Sequence, residues 1–306
     1  MEPAVSAGSD QSVAISLDGV TKVYRGGGGV HDLSLDIMVG EVFGFLGPNG
    51  AGKTTTIRLI LDLIRPSTGR IRVFGLDARA DSVAIRRRVG YLPGELALYD
   101  RLSARQILTH FAHLRGGLDW SRVQHYVEAF DLDVDRPVRS LSRGNRQKVG
   151  LVAAMMGDPD FLVLDEPTSG LDPLVQRTVQ TEVRRAVREG RTVLLSSHVL
   201  SEVGEMADRV GLIRDGRLIA IESVAQLQQR AAHLVDVRFG ESTDVGEFIA
   251  LPGVLSHRVD ARSLHLEVAG DLNPIVALLA RHLVEDLSIR EPTLEELFMR
   301  FYGGTP

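Results

Sequence analysis

The chain has 306 residues, 44% of them hydrophobic and 25% charged, with no cysteine and a formal net charge of −5. This is the composition of a globular protein of one large or two smaller domains; it excludes a disulfide scaffold, and the weak negative charge argues against a nucleic-acid partner held by the overall field. No apolar run reaches the ~18 residues that a membrane helix needs, and the first dozen residues lack the basic and apolar regions of a signal peptide, so a cytoplasmic location is expected.

Residues 1–12 are small and polar and read as a flexible tail. Segments 13–17 and 33–37 alternate apolar and polar side chains, as half-buried antiparallel strands do, with glycines 26–29 as the loop between them. Val42–Leu46 is apolar throughout, which suits a strand buried on both faces of a parallel sheet. Ile57, Ile60, Leu61 and Ile64 fall on one helical face, and Pro66 stops the pattern. Short strands are expected at 71–74 and Val89–Leu92. Between Ser103 and Met156 three stripes follow one another: Ile107, Leu108, Phe111 and Leu114, then Val123, Tyr126, Val127 and Phe130, then Val149, Val152, Ala153 and Met156. They predict three amphipathic helices, an insert at about 97–157.

Strands resume at 161–164 and 192–195, separated by a helix carrying Val175, Val179, Val183 and Val187. Strand, helix, strand alternation is the mark of a parallel α/β sheet. Beyond it the rhythm changes. Strand 234–239, helix 243–250, strands 254–259 and 264–268, helix 275–282, strand 285–290 and helix 294–302 give the order βαββαβα, which predicts a small ferredoxin-like α+β domain over 233–306. The main domain is placed at 13–232.

Gly47-Pro-Asn-Gly-Ala-Gly-Lys-Thr54 satisfies G-x-x-x-x-G-K-[ST] and lies between the buried strand and the helix that begins near Lys53. Glycines let successive N–H groups turn inward, the helix N-terminus adds positive potential, Lys53 reaches the β/γ-phosphates and Thr54 offers a hydroxyl to Mg²⁺. Gly47, Pro48, Asn49, Gly50, Ala51, Gly52, Lys53, Thr54 and Thr55 are therefore the expected nucleotide-binding run. Of 35 basic residues only three are lysines, at 22, 53 and 148. Lys53 stands where a compact ammonium, and not a planar guanidinium, fits between phosphates. Phe161-Leu-Val-Leu-Asp-Glu166 puts two carboxylates at the carboxyl end of a strand, where open α/β sheets bind ligands. Asp165 is the expected Mg²⁺ ligand, and Glu166, aimed the other way, the expected general base.

This combination resembles the nucleotide-binding subunit of an ATP-binding cassette (ABC) transporter. Across about residues 13–232, Ser169-Gly-Leu-Asp172 resembles the D-loop, Ser196-Ser-His198 the switch-histidine motif, and Leu141-Ser-Arg-Gly-Asn145 the signature LSGGQ, with Arg143 and Asn145 replacing Gly and Gln. The resemblance implies a P-loop NTPase core with an antiparallel β subdomain and a helical insert. It implies ATP and Mg²⁺ as cofactors, Tyr24 stacked on adenine, and His198 bonded to the γ-phosphate. Ser142, Gly144 and Asp172 would act on nucleotide across a homodimer or heterodimer of ATPase subunits. Gly94 stands where the family usually has the Q-loop Gln; Glu95 either replaces it by a one-residue shift or is a plain solvated side chain.

Glu291-Pro-Thr-Leu-Glu-Glu-Leu-Phe298 looks like the tail of drug- and antibiotic-exporting ATPases. The implied function is ATP hydrolysis that powers export of a hydrophobic compound through an integral-membrane permease, with this subunit peripheral at the inner membrane face. Residues 233–306 would be a regulatory domain or a dimer-stabilising element. The alternative is an ABC-type ATPase with a role in DNA repair or translation.

Overall fold

Val42–Leu46 forms a strand in which all five residues are buried, and the computed structural model places it inside a six-stranded sheet. The strand order is Arg217–Ser223, Arg209–Arg214, Val42–Leu46, Thr192–Ser197, Phe161–Asp165, Val89–Leu92. Val42–Leu46 runs parallel to both neighbours, and the pairing stays parallel out to Val89–Leu92. The structure describes residues 12–117, 120–229, 232–241, 243–293 and 296. Residues 1–11 of the expected tail and all of the expected helix 294–302 except Glu296 lie outside the described residues. The chain divides into two compact units, Met1–Glu222 and Ser223–Pro306.

In the first unit, a second sheet of order Gly29–Met38, Val13–Val23, Thr68–Val73, Leu76–Asp77 is antiparallel at every pairing. Alternation sets its register: Ile15 faces Ile37 and Val73, and Leu17 faces Leu35 and Ile71. These side chains join Phe43, Phe45, Ile57, Phe161 and Val163 in one core, which fixes the antiparallel sheet against the parallel one. The insert supplies the helices Ala104–Leu114, Trp120–Ala129 and Arg143–Met155. Ala104–Leu114 opens on a capping box in which the Ser103 hydroxyl accepts from the Gln106 N–H and the Gln106 side chain accepts from the Ser103 N–H.

Two local departures from the sequence pattern have physical causes. The helix predicted to reach Ile64 is Lys53–Ile60, because Asp62 takes a left-handed φ of +50° and the N–H groups of Leu63 and Ile64 turn back to the Arg58 carbonyl. Arg209–Arg214 and Arg217–Ser223 flank Asp215-Gly216, both at positive φ. An Asp-Gly pair between apolar runs is a strong hairpin signal that the sequence reading passed over. This turn reaches the phosphate loop, since the Gly216 N–H donates to the Ala51 carbonyl at 3.0 Å.

The second unit begins with the helix Val224–Gln229 and continues as a four-stranded sheet. Its order is Val254–Asp260, Ser263–Val268, His233–Phe239, Val284–Arg290, antiparallel throughout, with helices Gly246–Ile249 and Asn273–Leu279 in the two crossovers. That is the expected ferredoxin-like arrangement, with both helices shorter than their stripes. Val235, Val237, Phe239, Leu264, Leu266 and Val268 point to one face and pack with Phe248, Ile275 and Leu279. Among the described residues no helix is long and apolar enough to cross a membrane.

Gly90 marks where the helical insert meets the parallel sheet. A Cβ there would lie 2.0 Å from the Ala154 carbonyl oxygen, and a helix backbone cannot yield that distance. Gly90→Ala is expected to cost about 2 kcal/mol, lowering the melting temperature by about 5 °C in a thermal scan followed by circular dichroism.

Candidate functional site

The phosphate loop leaves the sheet at Leu46 and turns at Gly47, where a Cβ would lie 2.2 Å from the Ile213 carbonyl oxygen. Gly52, at φ +112°, is the cap of the helix Lys53–Ile60. The loop closes on its own lysine. Lys53 is 6% exposed, and its Nζ donates to the Gly47 carbonyl at 2.5 Å and to that of Pro48 at 3.3 Å. It also lies 3.4 Å from Glu166 Oε1. A buried ammonium is tolerable only with such partners.

Asp165 ends the strand Phe161–Asp165 and is fully buried. Thr54 Oγ1 donates to its Oδ2 at 2.8 Å and Ser196 Oγ to its Oδ1 at 2.5 Å. Immediately afterwards the chain reverses: Glu166 takes φ +53°, and its N–H donates to the Ser196 carbonyl and hydroxyl. The reversal aims the carboxylate away from that of Asp165, with Oε2 2.8 Å from His198 Nδ1. His198 follows the strand Thr192–Ser197 and is half exposed. Lys53, Glu166 and His198 thus form a row of cation, carboxylate and imidazole along the carboxyl edge of the sheet.

A cavity of about 310 Å³ opens beside this row. It is lined by Pro48, Asn49, Gly50, Gly52, Lys53, Thr54 and Thr55, by Gly94 and Glu95, and by Asp165 and Glu166. Of the expected phosphate run, Gly47 and Ala51 stand behind the lining. Gly47 supplies the carbonyl that receives Lys53, and Ala51 is 3% exposed. At Gly94 a Cβ would sit 3.1 Å from Asp165 Oδ2, so a side chain there would crowd the buried carboxylate. Glu95, one residue on, is exposed and lines the cavity. Two residues before Pro93, burial and then the Asp165 charge push the Tyr91 phenol above its ordinary pKa, keeping it neutral beside that carboxylate.

The donor set can be tested against Mg²⁺. Among the described residues no group of three or more His, Cys, Asp or Glu could hold a metal by itself. Mg²⁺ does not require one: it binds through one or two protein oxygens and completes its octahedron with water and phosphate oxygens. Thr54 Oγ1 and Asp165 Oδ2, already within hydrogen-bond distance at the cavity, fit that demand.

The remaining predicted residues fall elsewhere. Tyr24, 40% exposed, follows the strand Val13–Val23 and is not part of the cavity lining; Lys22 Nζ lies 5.9 Å from its ring centroid, a cation–π pair. Ser142 caps the helix Arg143–Met155 by accepting from the Asn145 N–H. Asp172 caps Pro173–Arg188 by accepting from the N–H groups of Leu174 and Val175. Gly144 packs against the Gly170 carbonyl, 2.9 Å from where its Cβ would be. A second cavity, of about 670 Å³, separates Glu95 from Arg143, Arg146, Gln147 and Ser169.

Two residues that the sequence places only as members of family motifs, Ser196 before His198 and Gln147 after the signature, make contacts that no motif specifies. Ser196 secures Asp165 and Glu166 together; the signal was a hydroxyl ending an apolar strand one strand away from the carboxylates. Gln147, 9% exposed, donates from Nε2 to the carbonyls of Glu166 and Pro167, each at 3.2 Å. An amide amid the apolar residues of a buried helix face was the corresponding signal.

A profile described as ABC transporter matches residues 30–169. The daunorubicin resistance ATP-binding protein DrrA3 of Streptomyces coeruleorubidus is 37% identical over 303 residues, covering 95% of this chain and 96% of that protein. The bacitracin transport ATP-binding protein BcrA of Bacillus licheniformis is 30% identical, covering 96% and 98%. Among solved structures, the ATP binding subunit of an ABC transporter matches 72% of this chain and 93% of its own at 26% identity, with a TM-score of 0.65. The relatives match nearly the whole length, in agreement with the glycine-rich loop, the paired carboxylates and His198 beside them, and the chain belongs to the ABC transporter family as one of its ATP-hydrolysing subunits.

Proposed function

We propose that this subunit hydrolyses Mg²⁺-ATP to power export of a drug, antibiotic or other hydrophobic compound through a separate integral-membrane permease. The observation that carries the proposal is the row Lys53–Glu166–His198 beside Thr54–Asp165, set in a chain whose full-length relatives are named for daunorubicin resistance and bacitracin transport. The subunit acts as a dimer, homomeric or heteromeric, held by the permease at the inner face of the cell membrane. The nucleotide-binding domain is the unit that ends at Glu222, ten residues before the boundary expected from the sequence, and the unit from Ser223 onward is an accessory domain that regulates it or stabilises the dimer.

Thr54 and Asp165 would hold Mg²⁺, which would supply positive charge to offset that of the phosphates. The N–H groups of the loop and of the first helical turn cradle the phosphates. Lys53 turns its ammonium from the Gly47 and Pro48 carbonyls toward the β/γ-oxygens. Glu166 orients a water and accepts its proton, and His198 braces Oε2 of that carboxylate while its ring faces the γ-phosphate. The balance is ATP + H₂O → ADP + phosphate, with positioning and electrostatics lowering the barrier. Tyr24 stacks on adenine, while Ser142, Gly144 and Asp172 belong to the segments that close over nucleotide at the dimer interface.

Glu166→Gln keeps the shape of the side chain and removes its basicity. The variant is expected to bind ATP and accumulate as a nucleotide-bound dimer on size exclusion, with kcat lowered at least about 100-fold. Phosphate release at the wild-type rate would dismiss Glu166 as base. Glu95→Ala separates the two readings of that residue: as the stand-in for the Q-loop Gln, its loss raises the Mg²⁺ concentration for half-maximal turnover several-fold, whereas an unchanged Mg²⁺ titration places Glu95 outside the site.

A further inference from the structure

Glu166 carries the reaction in a backbone conformation that a non-glycine residue rarely adopts, φ +53°, and such conformations persist only where the surroundings over-determine them. Strand Thr192–Ser197 holds one side of the reversal through Ser196. The other side is held from the helix Arg143–Met155. Gln147 donates to the carbonyls of Glu166 and Pro167, and Arg143 Nη2 donates to Ser169 Oγ at 3.0 Å. Positions 143 and 147 are four apart, so both side chains leave one helix face and grip the reversal at two points. Between them the Ser169 N–H donates to the Glu166 carbonyl at 3.2 Å, so one hydrogen bond ties Ser169 directly to the Glu166 backbone. The Arg143 chain also crosses the Gly170 backbone, with Nε and Cδ 3.3 and 3.4 Å from where a Cβ on Gly170 would lie.

We propose that Arg143 is a positioning residue for Glu166: anchored on the helix that also carries Gln147, it fixes Ser169 and thereby the turn that aims the general base. This rests on the reading of Glu166 as the base. Arg143 touches no reacting atom in this arrangement. Its guanidinium does for the turn what a glycine at this position could not, by tying the start of the helix to the segment that follows the catalytic carboxylate.

The test is steady-state ATPase kinetics on the full-length protein, with Glu166→Gln as reference. Arg143→Ala is expected to lower kcat about tenfold with KM for ATP within twofold, since a small misplacement of a catalytic group acts on the chemical step. Arg143→Lys, which keeps one donor, restores most of the rate. Ser169→Ala reproduces the loss, and Arg143→Ala combined with Ser169→Ala loses no more than either alone, because the two residues act through one bond. The bond is exposed, and melting temperatures are expected to stay within about 2 °C of wild type. Wild-type kcat in Arg143→Ala beside an inactive Glu166→Gln overturns the positioning role alone, as do additive losses or a loss confined to KM. Full activity in Glu166→Gln overturns the base assignment and this inference with it.

Discussion

Asp165 is wholly buried, and a buried charge stripped of its partners costs several kcal/mol. Its two oxygens therefore dictate what can surround them. One takes the hydroxyl of Thr54 and the other that of Ser196, so the first turn of the phosphate-loop helix and two adjacent strands meet at a single carboxylate. The position facing it from the end of a third strand is Gly94, with almost no room for a Cβ. The chain leaving it turns at once, at the positive φ of Glu166, and the Glu166 carboxylate meets Lys53 and His198. Most of the site geometry follows from keeping that charge satisfied.

Where one physical rule acted alone, the sequence was sufficient. Strict alternation in 13–17 and 33–37 gave antiparallel strands, continuous apolarity at 42–46 gave a doubly buried one, and the Gly-Lys-Thr run with its flanks gave the phosphate loop. The positions of Asp165, Glu166 and His198 follow from apolar strands that end on or just before them, and that of Lys53 from the glycine run that opens its helix, so the sequence already places them near one another at one edge of the sheet. Less legible was whatever depended on a contact distant in sequence. Ser196 and Gln147 earn their places through partners 31 and 19 residues away, and no local pattern announces such a pairing. Helix 53–60 stopped early because Asp62 flipped to positive φ, a choice its apolar stripe does not encode. Arg143 read as a departure from LSGGQ; only the coordinates connect it to Ser169.

The scarcity of lysine also resolves into distinct physical roles. Lys53 is wrapped by two carbonyls and a carboxylate in a space suited to a point charge. Lys148 reaches the Asp131 carbonyl at 3.5 Å, just past the helix Trp120–Ala129, where a cation meets the negative end of the helix dipole. Lys22 sits over the Tyr24 ring. The latter two interactions suit a guanidinium as well, so composition singles out Lys53 by chemistry and the others only by place.

The contact between Lys53 and Glu166 has a consequence for how such an enzyme can change over generations. A phosphate that draws the ammonium toward itself competes with Glu166 for the same positive charge. On the proposed mechanism, phosphate binding and the placement of Glu166 are thus coupled through one cation, and a substitution that shifts Lys53 alters both. Affinity and turnover cannot be adjusted as separate traits at this position. Adaptation to a new ATP supply or workload must come from residues farther out, where the two are not bound to a shared charge.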